Sequence, residues 1–187
     1  MGDAGVFLLD AFLQPFAAVL LFRFHAVWLR APMRNPPGEF IMAITDFLVL
    51  RARRLVPAVA GLDTATLLLA WLAELLYLLS LYALQGDLSH GLPLAGLMLL
   101  ALVKLIKISV YLLMAAVIAQ AILSWINPHT AAAPMLNSIT HPFLQPLRRV
   151  LPLFGGVDLS PMLLLVICQL VVMTLIGMLE RLTFGLF

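Results

Sequence analysis

The sequence predicts an all-α membrane protein: four transmembrane helices as two parallel repeats, each with a cytoplasmic, interfacial amphipathic helix between its two spans. Three observations carry this. Of the 187 residues, 64% are hydrophobic and 11% charged, with a mean hydropathy of +1.10, where a soluble domain carries about 25% charge. Four stretches are long and apolar enough to cross a bilayer, which takes about 20 residues. Finally, the phrase ARRLVPAVAGLDTAT at 52–66 returns at 147–161 as LRRVLPLFGGVDLSP, with the Arg pair, Pro, Gly and Asp in register.

The first span is 6–29. No Lys or Arg precedes Arg23, so the positive n-region of a signal peptide is missing and the run is expected to be a permanent anchor. Gln14 and Pro15 lie inside it, where Pro removes a helix donor. The second span is 64–84 and the fourth 160–183. Between them, 92–126 is apolar throughout. Those 35 residues would reach roughly 50 Å against a hydrocarbon core of about 30 Å. Lys104 and Lys107 divide the stretch, so 104–126 is expected to span and 92–103 to form an interfacial or strongly tilted lead-in.

The repeat checks these spans. Matching Trp28 with Trp125 lays 7–29 on 104–126, and matching Asp63 with Asp158 lays 63–84 on 158–179. The expected units are therefore 1–84, a linker at 85–103 and 104–187. Two spans per unit keep both units in the same orientation, a parallel repeat.

The connecting segments have helical periodicity. In the first, Phe40, Ile41, Ile44, Phe47 and Leu48 share a face. In the second, Leu136, Ile139, Phe143 and Leu147 do. Such a helix lies in the membrane interface or packs beneath the bundle, and both readings stay open here. The basic residues set the orientation. Arg30, Arg34, Arg51, Arg53 and Arg54 occupy one connection and Arg148 and Arg149 the other, whereas Asp3, Asp10, Asp87, His90 and Arg181 mark the opposite side. Basic loops stay in the cytoplasm, which places both termini on the opposite, outer side. Lys104 and Lys107 then snorkel toward the outer face.

The repeated phrase has a physical use. Pro57 and Pro152 end the amphipathic helices, and Gly61, Gly155 and Gly156 allow the turn. Asp63 and Asp158 cap the following spans, at the positive helix end, and Pro161 sits in a first turn, where proline is tolerated. Arg53, Arg54, Arg148 and Arg149 meet anionic headgroups or fold back onto the aspartates. Trp28 and Trp125 are interface anchors.

Charge inside a span marks function by default. Arg23 corresponds to Gln120 and Glu74 to Gln169, so both charges are absent together from the second copy. A buried Arg23–Glu74 pair in one copy and a Gln–Gln bond in the other would produce this pattern. Otherwise Arg23 snorkels to the headgroups and Glu74 bonds elsewhere. Asp10 corresponds to Lys107, and a bridge between them is a further expectation.

Enzymatic chemistry is not expected. His25 lies in a span and His90, His129 and His141 in loops, without HExxH, CxxCH or paired carboxylates. Ser124 and Ser160 lack a visible base. Cys168 lies in an apolar run and is expected to be an inert packing residue; as the one cysteine, it forms no internal disulfide. No GxxxxGK[ST] or GxGxxG occurs, so neither a cofactor nor nucleic acid is expected.

QAILSWINP (120–128) followed by HPFLQPLRRVLPLFGGVDLSP (141–161) resembles the signature of the YggT family of small bacterial inner-membrane proteins. FRFHAVWLRAPMRNPP with ARRLVPAVAGLD is similar to the N-terminal half of two-copy members. The family pattern carries Arg before AILSW; here Gln120 stands there, and Arg23 fills that place in the first copy. The resemblance implies an integral membrane protein without a settled biochemical activity. It also implies plastid relatives tied to haem attachment in assembling a photosynthetic cytochrome complex, and others linked to cell division or to osmotic and ion tolerance. The leading expectation is a non-enzymatic scaffold or assembly factor whose cytoplasmic helices engage anionic lipid and a protein partner. The alternative is an ion channel or transporter subunit lined by Arg23, Glu74, Gln120 and Gln169, which with four spans would need homo-oligomerisation.

Overall fold

The computed structural model describes residues 2–59, 61–85, 93–151 and 158–184. Every regular element among them is helical. Helix α1 is Gly2–Trp28, α2 Pro36–Leu55, α3 Thr64–Gln85, α4 Leu94–Ile126 and α5 Ala133–Val150. Helix α6, Ser160–Val171, runs through a π turn at Val172–Ile176 into α7, Gly177–Phe184. Four candidate spans result: Ala4–Trp28, Thr64–Leu84, Leu94–Ile126 and Ser160–Thr183. Their outward side chains include Phe7, Phe12, Leu76, Ile118, Leu170 and Met173. A surface this apolar belongs in lipid.

Local chemistry sets the helix ends. Asn35 caps α2, its Oδ1 accepting from the Gly38 amide at 2.8 Å, and prolines fill the first helical positions. Helix α1 stops where Arg30 takes a left-handed φ of 53°. There Ala31 N–H reaches back to the Ala26 carbonyl at 2.8 Å, a Schellman closure. Gly38 is buried at the start of α2, and a Cβ there would fall on the Met33 backbone carbonyl. Gly38→Ala is therefore expected to cost about 2 kcal/mol as an overpacking change, read as a lower melting temperature in micelles; an unchanged melt would mean that the 30–35 turn yields freely.

The third span departs from expectation. Residues 94–126 form one continuous helix of 33 residues; Lys104 and Lys107 do not break it. The lead-in is packed rather than interfacial. Leu97, Leu100 and Ala101 bury against Leu75, Tyr77 and Leu78 of α3, and Trp71 Nε1–H donates to the Met98 carbonyl at 3.2 Å. Both lysines find places within the helical run. Lys107 bonds Glu180 at 2.9 Å, and the Lys104 ammonium lies 5.7 Å from the Tyr77 ring centre, a cation–π arrangement. Residues 94–103 are thus continuous with the third candidate span and form no separate helix.

Helix α1 packs most extensively along α3, and α4 joins the two halves by touching α1, α3, α5, α6 and α7. One core cluster holds Leu20, Leu21, Phe24, Val49, Ala70 and Leu105. Another holds Ala26, Ala116, Met135, Leu136 and Ile139. The connecting helices are not alike. In α5 the face expected to be apolar is largely inside the protein, with Leu136, Ile139 and Leu144 buried. In α2 the buried residues are Gly38, Thr45 and Val49, while Phe40 and Phe47 are 64% and 58% exposed. Pro152, Gly155, Gly156, Asp87 and His90 lie outside the described residues.

Candidate functional site: helix-end clasps and intramembrane polar groups

The repeated phrase forms a clasp. Arg53, in the last turn of α2, donates from Nη2 to Asp63 Oδ2 at 2.5 Å and from Nε to Oδ1 at 3.2 Å. Gly61 provides the turn with φ +79°, and Val59 and Leu62 exchange backbone bonds across it. Asp63 also accepts from the Thr66 amide at 3.4 Å and hydroxyl at 2.5 Å, so it caps α3 while holding the end of α2. In the second copy, Arg148 Nε donates to Asp158 Oδ2 at 2.8 Å, and the Ser160 amide donates to Oδ1 at 3.0 Å. The sequence left headgroup binding and fold-back open; Arg53 and Arg148 fold back. Arg54 and Arg149 are exposed, with no partner among the described residues.

Both carboxylates are tuned alike. Burial alone would raise Asp63, but the bonds from Arg53 and Thr66 outweigh it and hold the group below the usual carboxylate range. Burial also opposes Asp158, and the bonds from Ser160 and Arg148 again lower it. The sites differ in exposure: the Asp63 side chain is 5% exposed and that of Asp158 31%.

The expected Arg23–Glu74 pair does not form. Arg23 is buried, and its Nη1 lies 2.7 Å from Asp46 Oδ1 and 2.6 Å from Thr45 Oγ1. Thr45 in turn donates to the Ile41 carbonyl at 2.6 Å. The partner comes from α2 because α2 packs against both α1 and α3 and brings Asp46 within reach. Gln120 occupies the matching place: it bonds Thr140 and donates to Asn137 at 3.2 Å. Thr45 and Thr140 hold the same position in the two copies, a correspondence the repeat carried but the sequence reading did not use. Glu74 is fully buried, and neither carboxyl oxygen has a hydrogen-bond partner among the described residues. Gln169 points outward. The Asp10–Lys107 bridge is also replaced. Asp10 accepts from the Tyr77 hydroxyl at 2.7 Å, and Lys107 turns to Glu180, a residue the sequence reading passed over.

Trp28 is half exposed and stacks on Phe24. Trp125 is 85% exposed. His25 Nδ1 lies 2.7 Å from the Leu21 carbonyl and so carries the proton and donates. The ring borders a cleft of about 290 Å³ with Phe22, Trp28, Ile106 and Phe143. Among the described residues no group of three His, Cys, Asp or Glu side chains is placed to hold a metal. Cys168 is buried among Val117, Leu144 and Leu164.

The profile of the CCB3/YggT family matches twice, over residues 3–84 and 99–179. The uncharacterised protein YggT of Escherichia coli K12 is 29% identical over 166 residues, covering 88% of this chain and 85% of the relative. An uncharacterised protein of Pseudomonas aeruginosa is 30% identical over 185 residues, covering 98% and 93%. One from Vibrio alginolyticus is 31% identical over 163 residues, covering 86% of each. No solved structure matches. The chain belongs to the CCB3/YggT family, and the two-segment match fits a tandem pair of its units.

Proposed function

We propose that the protein is a non-enzymatic inner-membrane scaffold or assembly factor, with two parallel units and α2 and α5 at the cytoplasmic interface. Both termini are periplasmic in this reading. The observation that carries it is the free side of α2. Phe40, Phe47, Leu50 and Leu55 are exposed there, beside exposed Arg51 and Arg54. Aromatic and aliphatic side chains next to unpaired arginines suit the headgroup boundary of an anionic leaflet and the aromatic-rich contacts of a protein partner. Helix α5 contributes Arg149 and the exposed Val150, with most of its apolar side already used inside the chain.

Arg54→Ala with Arg149→Ala, which spares both clasps, is expected to weaken retention of anionic phospholipid roughly 30-fold, at about 1 kcal/mol per arginine. Native mass spectrometry of the full chain, released from micelles with mixed lipids, measures this. Cross-linking from Phe40 and Phe47 in intact membranes identifies the protein partner. Unchanged lipid retention together with an unaltered set of cross-linked neighbours would sink the reading. An ion pathway needs shared polar groups, yet Arg23, Gln120 and Glu74 have separate surroundings and Gln169 faces out. Potassium and sodium flux in liposomes, beside Glu74→Gln, tests it: flux altered by that change would displace the scaffold reading.

A further inference from the structure

Glu74 is the feature that a scaffold does not use. It lies in the middle of α3, a 22-residue helix whose other side chains are apolar or uncharged. Its exposure is 0%, and both oxygens lack a hydrogen-bond partner among the described residues. At helical spacing it shares a face with Ala70, Tyr77 and Leu78, all buried. Gln169, at the matching place in the second copy, cannot titrate.

The charged groups around it are few. From α4 comes Lys104, whose ammonium lies 5.7 Å from the centre of the Tyr77 ring; no ion pair joins it to Glu74. On α3 itself Tyr77 is next, and its hydroxyl is bound to Asp10 of α1. The other charge that α1 brings inside, Arg23, is held by Asp46 of α2. An ionised carboxylate without a donor is very costly in an apolar interior, whereas the neutral acid is far less so. Asp10 is exposed. Asp10 and Tyr77 are hydrogen-bonded, Lys104 lies over the Tyr77 ring, and Tyr77 follows Glu74 by one helical turn on the same face of α3.

We propose that Glu74 is an intramembrane proton-binding site, a carboxylic acid at neutral pH, exchanging its proton with the Asp10 end of the bundle through Tyr77: the Tyr77 oxygen takes the Glu74 proton as its hydroxyl proton passes to the Asp10 carboxylate, and Lys104 compensates the charge left behind. When the proton leaves for water at Asp10, the Lys104 ammonium moves off the Tyr77 ring to pair with the carboxylate. When it returns, Lys104 goes back to the ring. The site is independent of the scaffold reading, because neither its chemistry nor its test involves α2, α5 or a partner.

Infrared spectroscopy of the full chain in nanodiscs, with carboxyl-¹³C glutamate, tests it. The glutamates are Glu39, Glu74 and Glu180; Glu39 is exposed and Glu180 is bonded to Lys107. The expected spectrum at pH 7 has a protonated-acid carbonyl band that is lost in Glu74→Gln, and whose shift in heavy water slows in Tyr77→Phe. Should Glu74→Gln fail to fold, the parent still decides. A lipid-soluble carbodiimide, which attacks protonated intramembrane carboxyls, is expected to modify residue 74, located by mass spectrometry. An all-carboxylate spectrum at pH 7, with no adduct at residue 74, would overturn the site. An exchange rate unchanged in Tyr77→Phe would overturn the route.

Discussion

Asp46→Ala is expected to lower the stability of the folded chain by about 3 kcal/mol, whereas Arg23→Gln should cost less than about 1 kcal/mol. The asymmetry follows from burial. The Arg23 side chain is 6% exposed and that of Asp46 42%. Removing Asp46 leaves a guanidinium inside the protein with Thr45 as its remaining partner. Removing Arg23 returns a half-exposed carboxylate to water. The second copy already shows that the Gln solution works, since Gln120 bonds Thr140 where Arg23 bonds Thr45. The value for Asp46→Ala lies at the low end of the range for buried pairs, because water reaches the Asp46 side. In the double variant Arg23→Gln with Asp46→Ala, most of the loss should be recovered. Unfolding in mixed micelles, followed by helicity, measures all four corners of the cycle. Strict additivity would show that the two side chains do not share their energy.

The second large effect separates the two clasps. Asp63→Ala should cost about 3 kcal/mol, the sum of a lost cap and of Thr66 and Arg53 left unsatisfied. Asp158→Ala should cost no more than about 1 kcal/mol, the scale of exposed ion pairs. The Arg–Asp pair and its spacing are the same, but Asp63 is more buried, and Pro161 stands where Thr66 donates twice. The pH dependence has a definite sign. The Asp63 carboxyl is lowered on folding, so its contribution is fully present above its unfolded pKa, near pH 4. It is lost as pH falls through the lower folded value. The melting temperature of the parent should therefore drop below about pH 4, and that of Asp63→Asn should drop less. Equal acid sensitivity in both proteins would assign the effect to other groups.

What could be read from the residues is what depends on near neighbours. Apolar length located the first, second and fourth spans to within a few residues, while the third begins ten residues before the expected 104, because a bilayer of set thickness demands a minimum apolar length whatever the packing. The aspartate before α3 was legible as a cap, since a cap acts over two or three residues; Asp158 lies one place before the N-cap Leu159 of α6 and bonds the Ser160 amide there. Matching the two copies also revealed that Gln120 replaces Arg23. Reading that match one step further would have linked Thr45 with Thr140.

The side chains' distant partners were not legible. Arg23 and Glu74 looked like a pair because both charges vanish together in the second copy. Yet Arg23 turned to Asp46, which α2 carries to the end of α1. The lysines of α4 looked like a boundary because charge in a span is costly. The helix instead runs through them, since Glu180 and the Tyr77 ring receive them. The two connecting helices had matching periodicity, but α5 turns its apolar face inward and α2 leaves Phe40 and Phe47 outside. Periodicity says which residues share a face; only the approach of another helix decides what covers it. By itself, then, the sequence determined the helical membrane class, the four spans, the repeated clasp residues and the family. The tertiary structure decided which charges meet, which face stays bare and that Glu74 has no hydrogen-bond partner among the described residues. These depend on distances between segments far apart in the chain, which local composition does not encode.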